Sequence, residues 1–388
     1  MNPENLKHIY RAAFGSDFER AFFSPGRVNL IGEHIDYNGG NVLPCALGIG
    51  TYGAASRRDD RLVKLYSADF PDDGVISLDL DALANKPENG WGNYVAGMLK
   101  SIRTNYDVKS GFNLAVEGDL PKASGLSSSA SLEMLVGCAV NTLFGLDIPG
   151  VDMALLGKKT ENEFVGVNSG IMDQFAVQMG KKDHAVYLNC NDLRYEYIPL
   201  ELGDCELLII NSNKPRALTD SKYNERFDEC MRALGIIRGY IEADNLVGVG
   251  IDWFERNKGV LGDDVLIKRT SHVLYENQRT VMSVRALKGG DLKRFGEYLN
   301  ESHASMRDLY EITGPELDSI AHAAQRQRGV LGARMTGGGF GGCAIAIVAK
   351  DEADDVIKNV GEAYTRETGY TAGFYTVKIS GGPGAINI

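Results

Sequence analysis

Three segments of this 388-residue chain gather residue types that can do chemistry. In PKASGLSSSASLE (Pro121–Glu133), Ser127, Ser128 and Ser129 follow Gly125 and Leu126 and open an apolar helix. The free amides and positive dipole end of a helix N-terminus favour a phosphate there, and serine hydroxyls add donors or a ligand for Mg2+. N-capping alone would need only one serine. In TGGGFGGC (Thr336–Cys343), five of six consecutive positions are glycine. Gly337, Gly339 and Gly342 satisfy G-x-G-x-x-G, but a dinucleotide fingerprint must open a helix, and this loop opens the strand Ala344–Ala349. A turn between strands needs fewer glycines, so the surplus points to backbone lying against a ligand or another loop. In GRVNLIGEHIDYNGG (Gly26–Gly40), Arg27, Glu33, His34 and Asp36 crowd into ten residues around an apolar strand, the pattern of a polar binding wall. A zinc site at Glu33, His34 and Asp36 is disfavoured, because neighbouring side chains diverge and no second histidine is close.

Two carboxylates and a tyrosine add to these. Asp173, in SGIMDQF, opens an apolar helix after Gly170 and by position alone reads as an N-cap. Glu161, on a helix over Met153–Phe164, reads by itself as a surface charge. Tyr223 lies on the stripe Tyr223, Phe227, Cys230, Leu234, Ile237, whose spacing makes it a core residue first and a ligand second. The nearby Lys214, Arg216, Lys222 and Arg226 read as solvated cations, available to an anionic substrate. No G-x-x-x-x-G-K-[ST] occurs, so any nucleotide site is not a P-loop.

These residues need elements to hold them. Ala21–Phe23, Val28–Ile31, Gly50–Ala55, Leu62–Ser67 and Phe112–Glu117 have strand composition. Ser127–Leu143 is helical, with Ala130, Met134 and Cys138 at i, i+4, i+8, and stops at Gly145. Helices at Met153–Phe164 and Asp173–Met179 and a strand at Ala185–Cys190 complete a first block. A second block starts at the strand Cys205–Asn211. It continues with helices at about 219–241, 263–288, 291–308 and 315–328, the strand pair around the glycine loop, a helix at Glu352–Arg366 and a strand at Thr371–Val377. Interleaved strands and helices in both blocks predict an α+β protein of two domains, 1–203 and 204–388.

Composition narrows the partners. The hydrophobic fraction is 44% and the charged fraction 24%, ordinary for a globular chain. The net charge of −11, without a basic run, argues against nucleic acid and anionic membranes. Met1–Phe14 lacks the apolar core of a signal peptide, and no run nears the length of a membrane span. Six cysteines without a C-x-x-C read as reduced thiols of a cytoplasmic protein.

The three motifs, in this order and spacing, resemble the GHMP family of small-molecule kinases over nearly the whole chain, and GEHIDYN resembles the sugar signature of its galactokinase branch. The resemblance implies a two-domain GHMP kinase fold, with an N-terminal domain like ribosomal protein S5 domain 2, a ferredoxin-like C-terminal domain and an active site between them. It implies transfer of the γ-phosphate of ATP to the C1 hydroxyl of galactose, with Mg2+ as cofactor. Position by position, Asp173 matches the general base and Arg27 the residue that orients it. Glu33, His34, Ile35, Asp36, Gly170 and Tyr223 match the sugar contacts. Ala123, Ser124, Gly125, Leu126, Ser127, Ser128 and Ser129 match the loop around the ATP phosphates, Ser129 and Glu161 the Mg2+ ligands, and Ser67 a position near the base. Many relatives carry another glycine near Ala123 or Ser124; the small residues here keep the path, so altered ATP affinity is expected. An N-acetylgalactosamine kinase shares these motifs. A non-catalytic galactose and ATP sensor would have a damaged phosphate loop, which this chain lacks, and a mevalonate or homoserine kinase would lack Gly32–Asn38. A monomer is expected.

Overall fold

The computed structural model describes residues 3–121, 124–167, 169–215 and 219–388. Helix α1 (Pro3–Phe14) leads into β1 (Arg20–Asn29), β2 (Asn41–Val42), β3 (Pro44–Arg57), β4 (Leu62–Ser67) and β5 (Ile76–Asp79). Then come α2 (Gly92–Ile102), β6 (Phe112–Gly118), α3 (Ser128–Phe144), α4 (Gly150–Lys159), α5 (Met172–Gln178), β7 (His184–Asn189) and β8 (Tyr195–Pro199). The second half runs β9 (Cys205–Asn211), α6 (Thr219–Ile237), α7 (Ile251–Asn257), α8 (Asp264–Lys288), α9 (Leu292–Ser305), α10 (Gly314–Gln325), β10 (Val330–Thr336), β11 (Cys343–Ala349), α11 (Ala353–Thr368), β12 (Gly373–Thr376) and β13 (Gly384–Ile386).

Six strands form one sheet in the order β13-β1-β3-β6-β4-β5, antiparallel except for the β4–β6 pair. Period-two alternation sorts its side chains. Phe22, Ala55 and Leu114 face α2 and α3, while the small row Ala21, Ala54 and Ala115 lies on the other face beneath Leu6 and Tyr10 of α1. The four-stranded sheet β10-β11-β9-β12 is covered on both faces, so Leu207–Ile210 and CAIAIV read as unbroken apolar runs. A small third sheet pairs β2, β7 and β8.

Several expectations are corrected. The two strands expected at 21–23 and 28–31 are one strand, because a bulge between Pro25 and Arg27 absorbs the proline's missing donor. The helix expected over 153–164 ends at Lys159 and passes into a π-type turn, Thr160–Val165, closed by the Gly166 and Val167 amides on the Glu161 carbonyl (2.8 and 2.9 Å). The helix expected to 308 likewise ends at Ser305 in a π-type turn, Met306–Tyr310. α3 stops as predicted, with Gly145 left-handed at its end. α1, α2, α7, β2, β5, β8 and β13 carry no pattern that the sequence reading used. All six cysteines are free thiols. No described helix is long and apolar enough to cross a membrane.

The ends of β1 and β10 join the two large sheets. The Asn29 amide donates to Thr336 Oγ1 (3.2 Å), whose hydroxyl donates to the Asn29 carbonyl (2.9 Å), and the wholly buried Arg334 donates to the Leu30 carbonyl (2.7 Å). The chemistry-bearing motifs meet at this junction.

Candidate active site

A cavity of about 620 Å3 opens where β1 runs into its loop, the N-terminus of α3 and the glycine loop after β10 converge. Its lining includes Arg27, Glu33, His34, Asp36, Ser124, Gly125, Ser127–Ser129, Glu161, Gly170, Asp173 and Tyr223. Residues from Arg27 to Gly338 thus share one wall-to-wall space.

The loop after β1 is held from behind by α8. His272 Nε2 lies 3.1 Å from the Glu33 carbonyl, the Gly32 amide donates to Glu276 Oε1 (3.1 Å), and the Asn41 amide donates to Asn277 Oδ1 (2.8 Å). Glu276 is wholly buried; burial opposes its charge, but Arg279, His272 and Arg334 hold its carboxyl down at about 2. The loop's own side chains are tied as well. Glu33 receives the Gly337 amide (2.6 Å), Arg334 (3.1 Å) and Asn29. Burial pushes the Glu33 carboxyl up, and these partners pull it back only in part. His34 sits between the Tyr37 hydroxyl (Nδ1, 2.8 Å) and the Gly338 carbonyl (Nε2, 3.2 Å), and burial lowers its pKa to about 3. Asp36 points into the cavity beside Gly170, where any Cβ would run into its carboxylate. Burial first, then the charge of Asp173, raises its pKa to about 6.

Asp173 is not an N-cap. It is the second residue of α5, and its carboxylate faces Arg27 in a two-point pair: Nε to Oδ1 at 2.8 Å and Nη2 to Oδ2 at 2.6 Å. Ser127 donates its hydroxyl to the same Oδ2. Arg27 also donates to the Gly125 carbonyl (2.8 Å), which ties the first motif to the second. The Asp173 side chain is 29% exposed and that of Arg27 only 5%, so the carboxylate is the member a substrate can reach. Burial alone would lower the guanidinium's pKa; Asp173, Glu33 and Asp36 raise it, and it stays charged.

Ser127 takes a left-handed backbone (φ 59°) and leaves α3 without a side-chain cap, so capping does not account for the serines. Ser129 donates to Glu161 Oε1 (2.9 Å) and Ser169 to Oε2 (2.6 Å). Glu161 is 7% exposed, not a surface charge: the π-type turn rotates it inward, a common use of such turns at functional sites. Burial raises its pKa, opposed by the hydroxyls of Ser169 and Ser129. Behind it, the wholly buried Glu133 receives Gln174 Nε2 (3.0 Å), and burial together with Glu161 pushes its carboxyl well up. Ser129, Glu161 and the nearby Ser169 offer hard oxygen donors, which suit Mg2+. Among the described residues, no group of three His, Cys, Asp or Glu is arranged to hold a metal ion on its own.

Ile35 and Leu126 are buried core side chains that meet the site through backbone only: the Ile35 carbonyl accepts from Gly40 (2.7 Å) and the Leu126 carbonyl from Arg27 (3.1 Å). Ser67 is buried on β4, accepting from the Asp69 amide (3.2 Å), and is not part of the cavity lining. Ala123 and Arg216 lie outside the described residues. Tyr223 caps its core stripe yet reaches the cavity, its ring 5.0 Å from that of His34. Arg226 is not solvated; it is buried, donating to the Tyr310 carbonyl (2.8 Å) and paired with Glu229 (3.1 Å). Lys214 pairs with Glu316 (2.8 Å). The glycine surplus after β10 serves loop-to-loop contact: a Cβ at Gly339 would stand 2.3 Å from the Ile312 carbonyl. Tyr94, Asn224 and Ser169 line the cavity without having been singled out. Ser169, one residue before Gly170 in the SGIMDQF run, is the one whose position could have signalled it.

Family models match for the galactokinase galactose-binding signature over residues 8–57, the GHMP kinase N-terminal domain over 93–181 and the GHMP kinase C-terminal domain over 283–366. A galactokinase from Lactococcus lactis subsp. cremoris (strain MG1363) is 51% identical over 95% of this chain and 92% of its own. One from Clostridium perfringens (strain 13 / Type A) is 50% identical over 99% of both. A crystal structure of Lactococcus lactis galactokinase complexed with galactose superposes with a TM-score of 0.96 at 50% identity over 98% of both chains. Methanococcus jannaschii mevalonate kinase, at 20% identity over 93% of this chain and 98% of its own, shares the fold with a TM-score of 0.65.

Proposed function

The chain belongs to the galactokinase family of GHMP kinases, has that superfamily's two-domain fold and is an ATP-dependent galactose kinase; from that premise we propose that Asp173, Arg27 and Ser127 form the reacting centre. The observation that carries this reading is the Asp173 carboxylate, set between the charged loop after β1 and the N-terminus of α3 and gripped by Arg27 and Ser127. Oδ2 carries two donors and Oδ1 one, so Oδ1 keeps a lone-pair site for the C1 hydroxyl of galactose. Asp173 takes that proton as the C1 oxygen attacks the γ-phosphorus of ATP, giving galactose 1-phosphate and ADP. Phosphoryl transfer through a loose transition state rests on alignment and charge stabilisation more than on a strong base. Arg27 holds the carboxylate's angle and places positive charge beside the transferring group.

Asp36, Glu33, His34, Ile35, Gly170 and Tyr223 form the sugar wall. Ser124–Ser129 would surround the ATP phosphates, with the uncapped amides of α3 turned to negative charge; Ser67, outside the cavity lining, keeps only its assignment to the neighbourhood of the nucleotide base. Ser129 and Glu161 would hold Mg2+. When bound, the ion would offset the negative charge of the phosphates. The reading also includes a boundary at 203/204, a monomer and a cytoplasmic location.

Phosphorus NMR of the protein with Mg-ATP and, in separate tubes, galactose, N-acetylgalactosamine, glucose and mevalonate tests the reading. A sugar 1-phosphate signal with galactose, alongside ADP, is expected. Product mainly from N-acetylgalactosamine would move the substrate. Binding of galactose and ATP without turnover would turn the reading into a sensor.

A further inference from the structure

His34 lines the cavity, yet neither ring nitrogen is free. Nδ1 meets the Tyr37 hydroxyl at 2.8 Å, Tyr37 Oη meets Tyr310 Oη at 2.8 Å, and Tyr310 Oη meets Cys230 Sγ at 3.1 Å. Nε2 meets the Gly338 carbonyl at 3.2 Å. Each member of this chain is buried or half-buried, and the sequence brings them from four separate elements.

Proton counting fixes the direction of the chain. Burial keeps the His34 ring neutral, and Arg226 and His272 nearby oppose a positive charge on it. A neutral imidazole has one donor and one acceptor. A carbonyl only accepts, so the proton sits on Nε2 and Nδ1 is the acceptor. The Tyr37 hydroxyl must then give its single proton to Nδ1, and its oxygen must accept from Tyr310. Tyr310 Oη is left to accept from the Cys230 thiol. Every bond in the row therefore points the same way, toward Gly338.

We propose that Tyr37 and Tyr310 are positioning residues that hold His34 as an Nε2–H donor at the sugar wall, with Cys230 ending the row. This inference rests on the sugar-wall reading above and adds what His34 can offer there: a donor to a sugar oxygen, in competition with the Gly338 carbonyl, and never an acceptor. It also gives the second π-type turn a task. Tyr310 closes that turn, and Arg226 and Arg269 hold it by the Tyr310 and Leu309 carbonyls (2.8 and 2.6 Å).

The test uses 15N-histidine-labelled full-length protein, whose six histidines give a countable spectrum, with His34 assigned by difference against His34→Asn. Long-range 15N–1H correlation of the sugar-free protein should show His34 as the Nε2–H tautomer. Tyr37→Phe leaves Nδ1 without a donor and should shift its 15N resonance or mix the tautomers; Tyr310→Phe should do so more weakly. Both keep the aromatic ring, and the KM for galactose should rise about tenfold in Tyr37→Phe with kcat within about twofold. A wild-type Nδ1–H tautomer would overturn the proposal. So would a Tyr37→Phe protein, folded by its thermal midpoint, with an unchanged His34 spectrum. The tautomer is read without substrate, so its failure is separate from any failure of the galactose assignment.

Discussion

The two walls of the cavity are built on opposite terms. On the sugar side nearly every polar group is already satisfied by protein. Glu33 has three donors, both nitrogens of His34 are engaged, and α8 holds the loop's backbone at Gly32, Glu33 and Asn41. On the phosphate side α3 begins without a side-chain cap, Ser128 is exposed, and Ser129 donates to Glu161. A neutral sugar brings little electrostatic energy, so its wall must be set in advance, where misplaced donors cost most. A polyphosphate brings charge enough to organise hydroxyls and amides on arrival. Asp173 stands between the two and belongs to both, through Arg27 and Ser127.

Breaking the point shared by the walls should have the largest effect. Asp173→Asn should lower kcat by about two orders of magnitude or more while calorimetry shows galactose binding nearly unchanged. A variant retaining more than about a tenth of wild-type kcat would remove Asp173 from the role of base. Next comes the sugar wall. Glu33→Gln sets an amide where three donors converge, and should cost about 3 kcal/mol of stability together with galactose affinity, read by denaturant unfolding and calorimetry. On the phosphate wall the damage should be selective. Ser129→Ala should raise the KM for Mg-ATP about tenfold and leave both the KM for galactose and the thermal midpoint close to wild type. Equal losses for both substrates would erase the contrast between the walls.

The smallest effect is a pH dependence at Asp36. Its pKa of about 6 in the folded protein lies above the ordinary value of 3.8, so the folded state holds the proton more tightly. Stability therefore falls as pH rises from about 4 to 6, and the deficit persists above that range. Asp36→Asn should raise unfolding stability at pH 7–8 by on the order of 1–3 kcal/mol, with no gain near pH 3.5. In the wild type, the KM for galactose should climb as pH drops below about 6, where the carboxylate loses an acceptor. A flat KM from pH 5 to 8 would take Asp36 out of the sugar wall.

What the sequence discloses follows the same division. The phosphate wall is local: Gly125 to Ser129 is a contiguous run before an apolar helix, and its residue types alone suggest its chemistry. The charged loop is equally visible, and so is Asp173 once the motifs are joined. What holds the sugar wall is not visible. A helix at 263–288 can be read from the pattern, but nothing local says that His272, Glu276 and Asn277 reach residues 32–41, some 240 positions earlier. Glu161 and Tyr310 each depend on a π-type turn, one inserted residue that helical periodicity does not register. Arg226 looks like a surface cation because charge on a helix usually is one; its partner Glu229 is on the same helix, but the carbonyl that buries it is 84 residues away.

The strand β13 has a consequence for how the protein is made. It pairs with β1, Ala21 against Ile386, after the chain has passed through the whole four-stranded sheet and back along Ala46–Gly48. Strand β1 carries Arg27, and its edge stays open until the ribosome has delivered the residues beyond 383. The first sheet, although translated early, is thus sealed after the second is already available. A nascent chain stalled anywhere in the second half would present that unprotected edge to its neighbours, and a single backbone cut near 203 would nick the protein without letting its halves drift apart.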